Sequence, residues 1–334
     1  MRTTLPAVPY HATAQRPGWA ELPDGVRSGI EQRLGAPVAE ARTAGGGFTR
    51  GFAAVLRTTT GERAFVKAAP AGTPVAAAYA REAEVTAALP AAVPAARLRW
   101  TGTAAGWYAI CLDPVDGHVP GLPWDPAELD AALAAWAAAA EALRHPPPGL
   151  PALGLPAFAD IAASDLSHWQ PVAAHRAPLP GMPGYARGRL DELATLEATL
   201  PGHTAGATGV THCDLRLDNV LVDPGGRAWI CDWNWVCTGP AWVDTAALLV
   251  TAYASGLDAD GLFAAHPTAR TAPPEALDAL LAGLAGFWLV QSGWGPSDAS
   301  PALRGHQRWS GEVSLAWLAQ RRGWPVLDGS RLAW

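Results

Sequence analysis

Four residues with the chemistry of a phosphate-handling site stand close together: His212, Asp214, Asn219 and Asp232. The first three lie in Thr211-His-Cys-Asp-Leu-Arg-Leu-Asp-Asn, an H-x-D-x-x-x-x-N arrangement, and the fourth ends Ala228-Trp-Ile-Cys-Asp. Phosphoryl transfer needs a carboxylate at the incoming hydroxyl and oxygen ligands for the magnesium ions that bridge the phosphates. Asp214 is placed to meet the hydroxyl, and Asn219 and Asp232 to hold Mg²⁺ from two sides.

Other readings of the same residues exist. Asp-Asn pairs commonly cap helices or form turns, and His-x-Asp can begin a zinc-hydrolase site. The surroundings favour the phosphate reading. Val220-Leu221-Val222 and Ala228-Trp229-Ile230-Cys231 are apolar runs around the turn Asp223-Pro224-Gly225-Gly226, the pattern of a hairpin. Asn219 then starts one strand and Asp232 ends the other, so both emerge at the same edge.

These segments resemble the aminoglycoside phosphotransferase and choline kinase-like family, a branch of the protein-kinase-like fold. Its H-G-D-x-x-x-x-N is matched at His212, Asp214 and Asn219, with Cys213 in place of glycine. Its I-D-W is matched by Ile230, Asp232 and Trp233, with Cys231 between them. Gly239-Pro240-Ala-Trp-Val-Asp244-Thr-Ala246 is similar to the family's G-P-x-x-x-D-x-A. The resemblance runs from about Gly45 to Ala247. It implies an α+β fold of two lobes: a small β-rich N-terminal lobe, residues 1–115, and a larger helical lobe, residues 116–334, with ATP between them.

Upstream partners fit this scheme. Gly45-Gly-Gly-Phe-Thr-Arg-Gly51 precedes two apolar stretches, Phe52–Arg57 and Arg63–Lys67, that read as strand, turn and strand. Glycines let backbone approach phosphates, which nominates Gly47 and Gly51, with Thr49 as a donor to a phosphate oxygen. Lysine is scarce in the chain, and Lys67 ends an apolar strand. Tyr79–Leu89 reads as a helix, on which Glu82 shares a face with Leu89. An ion pair with such a glutamate would aim Lys67 at the α- and β-phosphates. The family's R-E pattern also selects Glu82, leaving Glu84 solvated. Trp107–Gly117 is an apolar strand entering a bend. The resemblance makes it the hinge for adenine, with Cys111 to Val115, including Asp113, as the contact window.

Composition agrees with an enzyme of this kind. In 334 residues, 49% are hydrophobic and 16% charged, and the formal charge is −6; a broad nucleic-acid footprint would need a basic surface. The four cysteines form no C-x-x-C pair, so no structural zinc is expected. No leader pattern or apolar run of about 18 residues is evident, which predicts a cytoplasmic protein without a membrane partner. Further helices are expected at 125–143, with Asp125 as N-cap and Pro126 at the first position, at 185–200, stopped by Pro201-Gly202, and at 243–254, 274–291 and 302–322.

The acceptor is less constrained. Beyond Phe287 acids are few (Asp298, Glu312, Asp328), whereas Trp288, Trp294, Trp309, Trp317 and Trp324 are abundant. Asn234 stands where the family commonly has a glutamate. A small, weakly charged hydroxylated molecule (an antibiotic, sugar or nucleoside) is therefore preferred to a polycation. Asn234, Asp160 and Asp165 are the expected acceptor contacts. A nucleotide-binding module without chemistry and a metal-dependent hydrolase are the alternatives.

Overall fold

The computed structural model describes residues 8–297 and 299–325; Asp298 and Asp328 lie outside them. Helix α1 (Asp24–Leu34) precedes strands β1 (Val38–Thr43), β2 (Phe52–Thr58) and β3 (Arg63–Pro70), helix α2 (Pro74–Ala88), and strands β4 (Leu98–Ala104) and β5 (Trp107–Leu112). The five strands form one antiparallel sheet in the order β1-β2-β3-β5-β4.

Strand alternation sorts β3 into two faces. Ala64, Val66 and Ala68 join Val26 and Ile30 of α1 in one apolar cluster. Lys67 lies on the opposite face, where Ala69 packs with Ala76, Tyr79 and Ala83 of α2. At the start of α2, Thr73 Oγ1 accepts the Ala76 N–H at 3.3 Å and Pro74 takes the first position. Such a cap contributes about 1 kcal/mol.

The rest is mainly helical. It comprises α3 (Pro126–Leu143), α4 (Phe158–Ser164), α5 (Trp169–Ala173), α6 (Gly184–Arg187), α7 (Leu190–Thr204), α8 (Trp242–Ala254), α9 (Ala259–Ala265), α10 (Ala276–Ser292) and α11 (Leu303–Arg321). Two small ladders interrupt it: β6 (Val210–Thr211) with β9 (Cys237–Thr238), and β7 (Val220–Val222) with β8 (Ala228–Ile230). Asp125 caps α3 by accepting the Ala127 and Glu128 N–H groups. Helix α7 departs from expectation: it starts at Leu190 and runs through Pro201 to Thr204. The missing proline N–H is tolerated because Leu193, Leu196, Leu200 and Thr204 remain buried along one side, so tertiary packing outweighs the local break. Among the described residues no helix is long and apolar enough to cross a membrane.

Trp288, Trp309, Trp317 and Trp324 are core residues, whereas Trp294 and Trp235 are exposed. Gly51 is buried at the start of β2 beneath α2. A Cβ there would lie 2.3 Å from the Tyr79 hydroxyl and 2.8 Å from Val75 Cγ1. Its expected place beside phosphates is therefore replaced by a packing role. Gly51→Ala should lower stability by about 1–3 kcal/mol, the usual cost of overpacking, read as a lower urea midpoint at unchanged slope.

Candidate active site

The hairpin β7–β8 pairs Val220 with Ile230 and Val222 with Ala228. The Cys231 N–H donates to the Asn219 carbonyl at 2.9 Å, extending the pairing to the open end. That bond sets Asp232 beside Asn219. At the closed end Asp223 accepts the Gly225 and Arg227 N–H groups, which shapes the turn.

The loop before the hairpin is held by a buried carboxylate. Asp244, near the start of α8, accepts the Thr211 hydroxyl and the N–H groups of His212 (2.7 Å), Cys213 (3.2 Å) and Leu215 (3.3 Å). His212 supplies a second brace. Its Nδ1 accepts the Asp214 N–H at 3.3 Å, which leaves Nε2 to donate to the Cys231 carbonyl at 2.8 Å. The Trp233 ring meets the imidazole edge-on at 4.7 Å. Cys213 has φ +66° and Asp232 φ +59°, left-handed conformations that cost a non-glycine residue about 1–2 kcal/mol. A glycine at position 213, as in the resembling family, would adopt this conformation without that cost.

Asp214 is bonded from two sides: Asn219 Nδ2 donates to its Oδ2 at 3.1 Å, and Arg216 Nη1 lies 3.2 Å from its Oδ1. Burial pushes its carboxyl above the ordinary range, while the Arg216 charge pulls it back. Asn219 Nδ2 also donates to the Asp214 carbonyl at 2.7 Å, so its Oδ1 is the acceptor that remains. Asp232 and Asn219 thus present hard oxygen donors of the kind Mg²⁺ prefers, with room left for phosphate and water ligands. Among the described residues no cluster of three or more His, Cys, Asp or Glu side chains could hold a metal by itself, so a zinc hydrolase's ligand set is not assembled there.

Lys67 is the only lysine of the sequence. Its Nζ donates to Glu82 Oε1 at 2.8 Å and Oε2 at 2.7 Å, and it also pairs with Asp232. Burial opposes a charge on Lys67, but Asp232 and Glu82 overcome it and hold its pKa above the ordinary value. Glu84 is exposed and pairs with Arg81 at 3.6 Å.

A cleft of about 460 Å³ is lined by Lys67, Glu82 and Asp232, while Asp214 and Asn219 stand outside its lining. One end is an apolar slot lined by Ala53 and Val55 of β2, Leu112, Val115, and Leu221 and Ile230 of the hairpin; the other holds Lys67, Glu82, Asp232, Gly45, Gly46 and Gly47. Within the expected hinge window, Cys111 is fully buried in the sheet ladder and is not part of the lining. Pro114 lacks an N–H, and the Asp113 N–H donates to the Arg97 carbonyl at 2.8 Å. The Val115 N–H has no partner among the described residues.

Several expected contacts lie elsewhere. Thr49 is half-buried outside the cleft lining. Asp160 and Asp165 are exposed at α4, also away from the lining. Asn234 turns a buried Oδ1 inward to no partner among the described residues. The glycine run also has an unforeseen neighbour. A Cβ on Gly45 would lie 2.1 Å from the His11 carbonyl oxygen, one on Gly46 3.1 Å from that of Tyr10, and one on Gly47 3.0 Å from Arg16 Nη2. The glycines accommodate the N-terminal segment, which nothing in local spacing signals. Asp244 was visible only as a family position, and Arg216 as an unremarked member of the motif.

The family model described as the phosphotransferase enzyme family matches residues 44–288. No curated protein matches the sequence significantly. Among solved structures, a thermostable mutant of aminoglycoside phosphotransferase APH(4)-Ia with ADP and hygromycin B superposes with TM-score 0.58 at 16% identity, covering 90% of this chain and 100% of that one. An aminoglycoside phosphotransferase from Alicyclobacillus acidocaldarius gives 0.50 at 17%, covering 86% and 92%. A protein provisionally named a fructosamine-3-kinase from Thermobifida fusca gives 0.53 at 17%, covering 88% and 100%. At these identities the likeness establishes the kinase-like two-lobe fold.

Asp244 has a direct test. Asp244→Ala would strand the Thr211 hydroxyl and three N–H groups in a buried place, each costing about 1–3 kcal/mol. The expected loss is at least about 3 kcal/mol in a denaturant titration, with turnover falling in step with the disordered loop.

Proposed function

Because the chain belongs to the phosphotransferase enzyme family, we propose that it is a small-molecule kinase moving the γ-phosphate of ATP to a substrate hydroxyl. The observation that carries this reading is the convergence of Lys67, Glu82 and Asp232, drawn from distant segments, on one cleft with an apolar slot, with Asn219 tied to the end of the hairpin beside Asp232 and bonded to Asp214. Adenine would occupy that slot, accepting from the Val115 N–H and donating to the Asp113 carbonyl. Lys67, aimed by Glu82, would hold phosphate oxygens. Asp232 and Asn219 would hold Mg²⁺, which when bound neutralises charge on the transferring phosphate. In the cytosol both ATP and Mg²⁺ are abundant.

Asp214 would orient the acceptor hydroxyl and take its proton as that oxygen bonds to the γ-phosphorus. The bond from the γ-phosphorus to the bridging oxygen breaks, and ADP leaves. Arg216 acts through Asp214, its charge opposing the rise that burial gives the carboxyl. The acceptor is proposed to be a weakly charged hydroxylated molecule: Asp160 and Asp165 lie away from the cleft, while exposed Trp235 offers a flat apolar surface close in sequence to Asp232.

A screen of hydroxylated antibiotics, sugars and nucleosides with MgATP tests the reaction, and Asp214→Asn tests the assignment. Turnover should fall by about 10²–10⁴-fold, with nucleotide affinity within a few-fold of wild type. Retention of most activity would sink the role of Asp214. Labelling adds an independent check: an acyl-phosphate derivative of ATP should acylate one side chain, Lys67, and MgATP should protect it.

Arg216→Gln tests the electrostatics. Burial of Asp214 would then be unopposed, so its pKa should rise further. Activity needs the ionised carboxylate, so the acid limb of kcat/KM should move to higher pH. An unchanged limb, or one at lower pH, would contradict the pairing.

A further inference from the structure

Lys67 is not the only cation at the phosphate end of the cleft. The segment ahead of α1 crosses the glycine run: the Ala14 N–H donates to the Gly45 carbonyl at 2.8 Å and Thr13 Oγ1 to that of Gly47 at 2.9 Å. It is tied as well to the region of α11, where Ser300 Oγ donates to the Thr13 carbonyl at 2.6 Å and the Tyr10 hydroxyl meets His306 Nδ1 at 2.9 Å. This strap and α11 both lie outside residues 44–288, the part matched by the family model.

The strap carries Arg16 into the cleft lining. Arg16 Nη1 donates to the Gly51 carbonyl at 3.0 Å and reaches the Tyr79 hydroxyl at 3.3 Å, while Nη2 donates to the Gly46 carbonyl at 3.1 Å. Its Nε is buried and meets no partner among the described residues. No carboxylate of the described residues forms an ion pair with it. Its direct partners are carbonyls and a hydroxyl, while the carboxylates of Glu82 and Asp232 line the same cleft without pairing with it; a partly buried guanidinium so placed gains from an anion that completes it. Arg16 and Lys67 line the same cleft. Gly47, with φ +91°, leaves the room that the guanidinium fills.

We infer that Arg16 is a second phosphate-binding residue, delivered by the N-terminal strap to the polyphosphate of the bound nucleotide. This rests on the donor-site reading, and it makes the strap part of that site. A guanidinium suits the role because its planar fork binds phosphate oxygens while keeping donors on the loop carbonyls.

The test is calorimetry on the full chain with two Mg²⁺-containing titrants, the β,γ-imido analogue of ATP and adenosine. Arg16→Gln should weaken the analogue about tenfold, the scale of one charge-assisted hydrogen bond, and leave adenosine within about twofold. Arg16→Lys should recover part of the loss. Equal weakening of both ligands, or of neither, would overturn the inference, since a purely structural arginine predicts the former. Should the Gln variant not fold, the wild-type Arg16 side-chain ¹⁵N signals decide: a shift with the analogue but not with adenosine supports the contact, and no shift with either overturns it. Wild-type protein that binds both ligands, with Arg16→Gln changing neither affinity, removes Arg16's role alone. Protein that binds neither removes the donor-site reading as well.

Discussion

One buried ammonium organises the cleft. Lys67 stands on the inner face of β3, with Glu82 of α2 on one side and Asp232, beyond β8, on the other. Sheet, helix and the β7–β8 hairpin therefore share a single charge. Removing one partner from a buried pair of this kind costs about 3–5 kcal/mol, because the remaining charge loses its compensation. The chain uses arginine for every other permanent cation and lysine only here. A compact point charge on a flexible stem can pass between two carboxylates and phosphate oxygens, whereas a planar guanidinium imposes its own fork.

That junction is useful only if Asp232 and Asp214 are presented in fixed positions, and the backbone there is not relaxed. Left-handed conformations at Cys213 and Asp232 persist because the surroundings over-determine them. Asp244 collects the Thr211 hydroxyl and three N–H groups, while His212 links Asp214 to Cys231. The loop from Thr211 to Leu215 is thereby braced from α8 and from the hairpin at once. Burial raises the carboxyl of Asp214 while the Arg216 charge restrains it.

The glycine run shows how one motif can serve two neighbours. It receives the strap at His11 and Arg16 and also lines the cleft beside Lys67. The loop is tied through the strap to α11, so the roof of the cleft depends on contacts between the chain's two ends.

Much of this was legible in the order of residues. The H-x-D-x-x-x-x-N spacing, the Asp-Pro-Gly-Gly turn between short apolar runs, and the face shared by Glu82 and Leu89 depend on local periodicity, which sequence displays directly. The α+β class and kinase-like fold followed from them and from the family resemblance. Contacts between remote segments were decided only in three dimensions. No spacing ties Arg16 to Gly46, Gly51 to Tyr79, or Asp244 to four groups of the loop. Cys111 and Asp113 sat in the expected window, yet the ladder and the Arg97 carbonyl had already claimed Cys111's place and Asp113's N–H. Pro201 was read as a stop because its own backbone disfavours a helix, but the buried side of α7 outweighed that preference. Local preferences amount to about 1–3 kcal/mol per residue, whereas burial along a whole helix sums many contacts. Where the two conflict, only the assembled core determines the outcome.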